Sequence, residues 1–413
     1  MLRFLKAYQK VDRNILYLIV AELFLQLINT SFTLILNLYM TKSGYPDHEI
    51  ASFTAYRFMS VVLFALPFGL YIRGRSIRPM LLLSAVLLPV VSLIILEAVS
   101  HKINWLLQIS LIIWGICFTA NQIAILPFIL RNSNPAGHTE SISLNASVWS
   151  FATIVAGLFI WLLSGINPHI FTDKLLLQIF SLSGFAAAWF IWQMPAKEEI
   201  PEAQHSGNNP ALHHYDWDII AKAIVPTTMI AVGAGLTIPF MNLFFFHVFG
   251  LNSDSFSLLG SVTGVVVALF SLQAPLVKRK FGYEAITGTQ LLAIVALMLL
   301  GATDFISHWP FALYIAAFCF IIRQPLMNLA NPMTSQMTMY YVGKKNQELV
   351  SAITSSIWSG SWFFSSLVFR YLREMDLRYG YIIYITAAFY VLGVFFYHLL
   401  IKDFRRKEQL GLI

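Results

Sequence analysis

Long apolar runs separated by short polar turns recur along the whole chain. They extend from Asn14 to Met40, Ile50 to Ile72, Pro79 to Leu96, Trp105 to Leu130, Ile142 to Leu163 and Leu175 to Met194. After a polar interval they resume from Ile219 to Phe246, Phe256 to Val277, Ala285 to Ala302, Phe311 to Tyr340, Leu349 to Phe369 and Gly380 to Ile401. An apolar helix needs about 20 residues to cross a bilayer, and these runs are near or above that length. They lack the alternating pattern of barrel strands, and a backbone in hydrocarbon must satisfy its own hydrogen bonds, so each run predicts a helix. The expected fold is all-α, with twelve transmembrane helices in two sets of six.

Composition agrees: 58% of residues are hydrophobic and 11% charged, against roughly 25% charged in a soluble domain. With the N-terminus placed inside, 19 Lys and Arg fall on the cytoplasmic side and 6 outside. That bias predicts a multi-pass membrane protein with both termini cytoplasmic, and it accounts for the net charge of +7 without a polyanionic partner. One loop dissents, because Arg370, Arg373 and Arg378 lie outside beside Glu374 and Asp376. The basic start leads into a run too long for a signal peptide, so the first helix is expected to remain.

Other chemistries find little support. The two cysteines, Cys117 and Cys319, sit mid-helix and read as small packing residues. His213-His214 with Asp216 and Asp218 lacks the spacing of a zinc site and reads as a solvated loop, so neither metal nor cofactor is expected. Asn29-Thr30-Ser31 and Asn145-Ala146-Ser147 fit a glycosylation pattern but fall inside helices. No phosphate-binding loop for ATP, no paired carboxylates and no Ser/His pair suggest an enzyme, and no charge run suggests nucleic acid.

The two sets of helices resemble each other. Cys117-Phe118 and Gln122 match Cys319-Phe320 and Gln324 at an offset of 202. Asn37-Leu38 and Gly44 match Asn242-Leu243 and Gly250 at 205 and 206, and Glu140-x-x-Ser143 with Trp149-Ser150 matches Glu348-x-x-Ser351 with Trp358-Ser359 at 208 and 209. An ordered series at nearly constant offset points to a duplication, residues 1–195 and 219–413, joined by a cytoplasmic linker at 196–218. Duplicated helical folds are characteristic of transporters, in which one half rocks against the other.

On these features the chain resembles the major facilitator superfamily (MFS) over its whole length. The loop after helix 2 in that family reads G-x-x-x-D-R-x-G-R-R; here it is Gly69-Leu70-Tyr71-Ile72-Arg73-Gly74-Arg75, with Arg279-Lys280-Phe281-Gly282 in the second half. Arg73 and Arg279 stand where the family carries an acid, so its cytoplasmic charge relay does not transfer. Arg323-Gln324, Glu140 and Glu348 are similar to a widespread, functionally diverse prokaryotic branch. The resemblance implies that helices 1, 4, 7 and 10 line a central cavity.

A charge at mid-bilayer costs about 2.5 to 3.5 kcal/mol on insertion scales and needs a reason. Three qualify: Glu22, Arg57 and Arg323. Glu22 shares helix 1 with Gln26, Asn29, Thr33 and Asn37, and at helical spacing these fall on one polar stripe that faces something wet or polar. It is either a proton carrier or a permanent partner of Arg57 or Arg323. Arg323 precedes Pro325, with Gln324, Asn328, Asn331 and Pro332 beyond, and prolines here are expected to open a kink. Its guanidinium is suited to a carboxylate or phosphate, or else it balances Glu22. Asn121 and Gln122 of helix 4 and, by resemblance, Thr237 and Asn242 of helix 7 complete the expected site, unless they are polar glue between helices. Arg57 reads as a structural charge, and the serine face of helix 11 as close packing. The expectation is a monomeric secondary transporter, symporter or antiporter, that moves a small anionic or amphipathic organic solute by alternating access with proton coupling. The alternatives are efflux of lipophilic cations and a non-transporting membrane sensor.

Overall fold

The computed structural model describes residues 12–72, 75–132, 138–194, 216–271 and 273–410. Helix 1 spans Arg13–Lys42, helix 2 Asp47–Tyr71, helix 3 Arg78–Ser100, helix 4 Asn104–Asn132 and helix 5 His138–Ile166. Helix 6 spans Asp173–Gln193, helix 7 Trp217–Phe249, helix 8 Ser253–Ser271, helix 9 Glu284–Phe305 and helix 12 Tyr379–Gln409. Helices 10 and 11 are two parts of Ala312–Glu374, broken at Gly343, where φ is 70° and ψ 161°. Among the described residues eleven helices are long and apolar enough to cross a membrane. The twelfth predicted crossing, 349–369, is helical too and forms the serine-rich remainder of the broken element.

By backbone proximity the chain groups into two compact units. The first is Met1–Pro46, Tyr56–Gly207 and Asn252–Ser261; the second is Asp47–Ala55, Asn208–Leu251 and Val262–Ile413. The beginning of helix 2 therefore groups with the second unit and that of helix 8 with the first. In the first unit helix 1 packs on helices 5 and 6, and helix 3 on helices 4 and 6. In the second, helices 7 and 9 each pack on helix 12 and on the broken element. Small residues bring backbones together: Gly115 faces the Arg57 carbonyl and Ser60, and Gly235 faces Ser365 and Trp362.

The duplication is visible in the backbone. Gly44 (φ 88°) and Gly250 (φ 68°), matched in sequence, both adopt the left-handed conformation that ends helices 1 and 7. Each of those helices also departs from α geometry: helix 1 through a π-turn at Phe32–Leu36, helix 7 through a 3-10 turn at Ile238–Phe240. The π-turn changes the rotation between Asn29 and Asn37. Thr33, inside it, is exposed, whereas Glu22, Gln26, Asn29 and Asn37 are buried.

The helix stays helical through Pro325 and Pro332, and its break lies at Gly343, the position able to take a positive φ. Basic residues at the ends of helices 3 and 4 serve as caps: Arg131 donates to the carbonyls of Arg75 (2.8 Å) and Ile72 (3.0 Å) beyond helix 2, and Arg78 to those of Ile191 (3.4 Å) and Trp192 (2.8 Å) at the end of helix 6. Free carbonyls at a helix C-terminus attract cations. Arg73 and Gly74 of the loop motif, most of the linker with His213-His214, and the side chains of Glu140 and Glu348 lie outside what the structure describes.

Candidate functional site

The polar residues of helix 1 meet helix 4 and helix 2 inside the first unit. Glu22 is 3% exposed, and three amides donate to its carboxylate: Gln26 Nε2 to Oε1 at 2.7 Å, Gln122 Nε2 to Oε1 at 2.9 Å and Asn121 Nδ2 to Oε2 at 2.6 Å. Gln26 and Asn121 are buried, whereas Gln122 is exposed, so the cluster has one accessible member. Gln26 Oε1 in turn accepts from Asn29 Nδ2 at 3.0 Å, and Asn29 Oδ1 accepts from Arg57 Nη2.

Arg57 is fixed inside rather than reaching for a surface. Its guanidinium lies 4.0 Å from the centroid of the Trp114 ring, a stacking that a planar cation makes well. Trp114 is itself held by an Nε1 hydrogen bond to Ser92 Oγ at 3.0 Å and by Phe32 and Phe118 on its flanks. A cation and an anion thus share one buried network without direct contact.

The second unit holds Arg323, 2% exposed. Among the described residues it makes no ion pair, and its Nε has no hydrogen-bond partner. Its guanidinium donates to the hydroxyl of Tyr390, which is 1% exposed on helix 12. Gly233 of helix 7 leaves room for the Tyr390 ring. Thr237, one turn further along helix 7, is buried with an unpartnered hydroxyl, as is Thr386, one turn before Tyr390. Burying polar atoms without partners is costly, and the two hydroxyls each lie one turn from a residue of the Gly233–Tyr390 contact while the Arg323 Nε lacks a partner of its own.

The remaining expected residues are less engaged. Asn328 donates to the Gln324 carbonyl at 2.9 Å and accepts from exposed Asn331 at 3.3 Å, which keeps both on the helix's own surface. Gln324 is half-buried, and Asn242 Oδ1 accepts from the neighbouring Leu243 N at 2.9 Å. Tyr390 was not anticipated from the sequence. One tyrosine among 17, in a helix full of aromatics, carries no signal of its own. Among the described residues no group of His, Cys, Asp and Glu could hold a metal ion.

Membrane-crossing helices in a duplicated arrangement, each repeat enclosing buried polar residues, define a multi-pass integral membrane protein with a transporter fold. The chain belongs to the Major Facilitator Superfamily, whose family model matches residues 15–366. Solved structures similar to it include the nucleoside transporter NupG (15% identity, 95% of this chain, 100% of that one, TM-score 0.69) and the D-xylose-proton symporter (13%, 93% and 96%, 0.70). The POT family transporter PepTSo is similar as well (11%, 96% and 99%, 0.74). At such identities the likeness is one of fold. No curated protein sequence matches the chain significantly.

Proposed function

We propose that the protein is a proton-coupled secondary transporter of a small organic anion, or of an amphipathic solute with an anionic group. In this reading the repeats 1–195 and 219–413, joined by the linker at 196–218, alternate access to the site. The excess of Lys and Arg on the side of the N-terminus, 19 against 6, supports both termini in the cytoplasm, here taken as that of a bacterium with the protein in its inner membrane. The observation that carries the reading is Arg323: a buried guanidinium with no ion pair among the described residues and an unpartnered Nε. A carboxylate or phosphate would supply the missing acceptors with the geometry a guanidinium prefers. Thr237, with Gln324, Asn328 and Asn242 nearby in sequence or in the repeat, would orient the rest of the solute.

Glu22 is the coupling residue of the proposal. Ionised, it accepts from Gln26, Asn121 and Gln122. Protonated, it must itself donate, so at least one amide has to turn its carbonyl toward it. Where that amide is Gln26, the rearrangement passes on to Asn29 and Arg57. Efflux of lipophilic cations would use Glu22 as the attracting charge, but both its oxygens are already occupied by amide donors.

The test is a thermal-shift screen of the detergent-solubilised protein against carboxylates, organic phosphates, sugars, nucleosides and lipophilic cations, followed by uptake into proteoliposomes. A member of the first two classes should stabilise the wild type and not Arg323→Ala. Glu22→Gln should bind that solute yet lose its accumulation under a pH gradient. Stabilisation by neutral or cationic solutes alone, equal in Arg323→Ala, would overturn the assignment.

A further inference from the structure

Two side-chain clusters occupy equivalent places in the duplication. In one, Lys42 Nζ at the end of helix 1 donates to Asp173 Oδ2 at the start of helix 6 (2.7 Å) and to Ser253 Oγ at the start of helix 8 (3.2 Å). In the other, His247 Nε2 at the end of helix 7 lies 3.0 Å from Asp47 Oδ1 at the start of helix 2, and the Tyr379 hydroxyl at the start of helix 12 donates to Asp47 Oδ2. His247 follows Lys42 by 205 residues, Tyr379 follows Asp173 by 206 and Ser253 follows Asp47 by 206. The same three-helix corner is thus built twice. The acid stands on helix 6 in the first corner and on helix 2 in the second.

The second corner carries more charge. Arg373 of helix 11 reaches Asp47 Oδ2 through Nε at 3.1 Å and Nη2 at 3.0 Å, donates from Nη1 to the Leu377 carbonyl at 2.6 Å and lies over the Tyr379 ring. Asp304 at the end of helix 9 accepts from Gly380 N at 2.7 Å, next to Tyr379. Among the described residues, the titratable and charged groups around His247 and Asp47 are thus Arg373 and Tyr379, with Asp304 against the backbone next to Tyr379. The Asp47 side chain is 8% exposed and that of His247 37%, so the acid is enclosed while the imidazole remains open to solvent protons. The same contacts account for the beginning of helix 2, Asp47–Ala55, grouping with the second unit.

We propose that Asp47 and His247 form a proton-responsive latch that fastens the first turns of helix 2 to helices 7, 11 and 12. Arg373 and Tyr379 bind Asp47 whatever the pH in the neutral range, whereas histidine is the side chain whose charge ordinarily changes between about pH 5 and 8. Protonated, His247 is a cationic donor to Asp47 and the latch has three ties. Neutral, it contributes at most an uncharged hydrogen bond, and helix 2 is freer to leave. The first corner has a lysine in place of the imidazole and no histidine among its three members, so it lacks the group that responds over this range. The consequence for transport, that the latch biases the alternation, rests on the proposed function; the latch itself does not.

Hydrogen–deuterium exchange of the full-length protein, corrected for intrinsic exchange rates, reads the latch directly. Peptides covering 47–55 should be protected at pH 5.5 and lose protection about threefold or more at pH 8, while peptides covering 253–261 do not change. His247→Lys installs the chemistry of the first corner and should keep 47–55 protected at both values. Asp47→Asn and His247→Gln should leave it weakly protected at both. Equal protection of 47–55 at the two pH values in the wild type, a response that survives in His247→Lys, or a matching response at 253–261 would each overturn the latch. Loss of anion binding with the pH response intact would sink the transport reading alone.

Discussion

Arg57 addresses Glu22 through two amides in a row. Arg57 donates to Asn29, Asn29 Nδ2 donates to Gln26 Oε1 at 3.0 Å, and Gln26 Nε2 donates to Glu22 Oε1 at 2.7 Å. Each amide turns its carbonyl toward the cation and its N–H toward the anion, so the dipoles add. Reversing one amide would set donor against donor on one side and acceptor against acceptor on the other. The charge on either end therefore fixes the orientation of everything between.

Such a chain predicts coupling between side chains that do not touch. Glu22→Gln and Arg57→Gln should each destabilise the protein by about 1 to 3 kcal/mol, because each leaves buried groups without suitable partners. In a double-mutant cycle they should fall short of additivity by at least about 1 kcal/mol, well outside the roughly 0.3 to 0.5 kcal/mol scatter of independent sites. Denaturant unfolding of the four proteins in detergent decides it, and additive effects would show that the amides do not transmit.

Packing of helix 2 against helix 4 gives a second expectation. A methyl group on Gly115 would run into the Arg57 carbonyl and Ser60, whereas nothing stands within 4 Å of the same position on Gly69 or Gly165. Gly115→Ala should cost about 1 to 3 kcal/mol by overpacking. Gly69→Ala and Gly165→Ala, both inside helices, should gain up to about 1 kcal/mol from helix propensity. Melting temperatures of the three variants provide the comparison, and a neutral Gly115→Ala would mean that the helices separate more readily than they pack.

Gly343 separates helices 10 and 11 with φ 70° and ψ 161°, a backbone conformation that a Cβ resists. Gly343→Ala should therefore destabilise the junction by about 1 to 3 kcal/mol, the usual cost of forcing a side chain into a sparsely populated region. Limited proteolysis should find earlier cleavage near residue 343 than in the wild type. An unchanged digest would indicate that the break can move to a neighbouring residue.

The twelve runs of apolar residues were sufficient to read the helices, because length and hydrophobicity are local properties that the bilayer enforces directly. The duplication was legible for the same reason, as matched Gly44 and Gly250 both take the left-handed conformation their position requires. Side-chain partnership was only half legible. That Glu22, Gln26 and Asn29 share a face follows from helical spacing, but the register bringing Asn121 and Gln122 opposite Glu22 depends on how helices 1 and 4 pack, which no local pattern encodes. Thr33 shows a different limit: it sits inside the π-turn at Phe32–Leu36 and is exposed while the rest of the stripe is buried, and spacing alone gives no sign of such a turn. The dissenting basic loop after helix 11 has a structural explanation as well: Arg373 is held by Asp47, and Arg370 Nε by Glu374 at 2.8 Å.

Thr237 separates a structural from a ligand-binding role. Its hydroxyl is buried without a hydrogen-bond partner on a helix that changes to a 3-10 turn at the next residue. Valine has nearly the same shape and no polar atom to desolvate, so Thr237→Val should raise stability by about 1 kcal/mol if the hydroxyl is idle in the empty protein. If that hydroxyl is reserved for a solute held by Arg323, the gain comes with weaker binding, on the order of tenfold for one lost hydrogen bond of about 1.4 kcal/mol. Thr386→Val, the other orphaned hydroxyl near Tyr390, tests the same relation from helix 12. Stability measured by denaturant unfolding, set beside affinity for whichever anion stabilises the wild type, resolves the two roles: a gain in stability at unchanged affinity would remove Thr237 from the site, and a stability loss would mean the hydroxyl is satisfied in the resting protein.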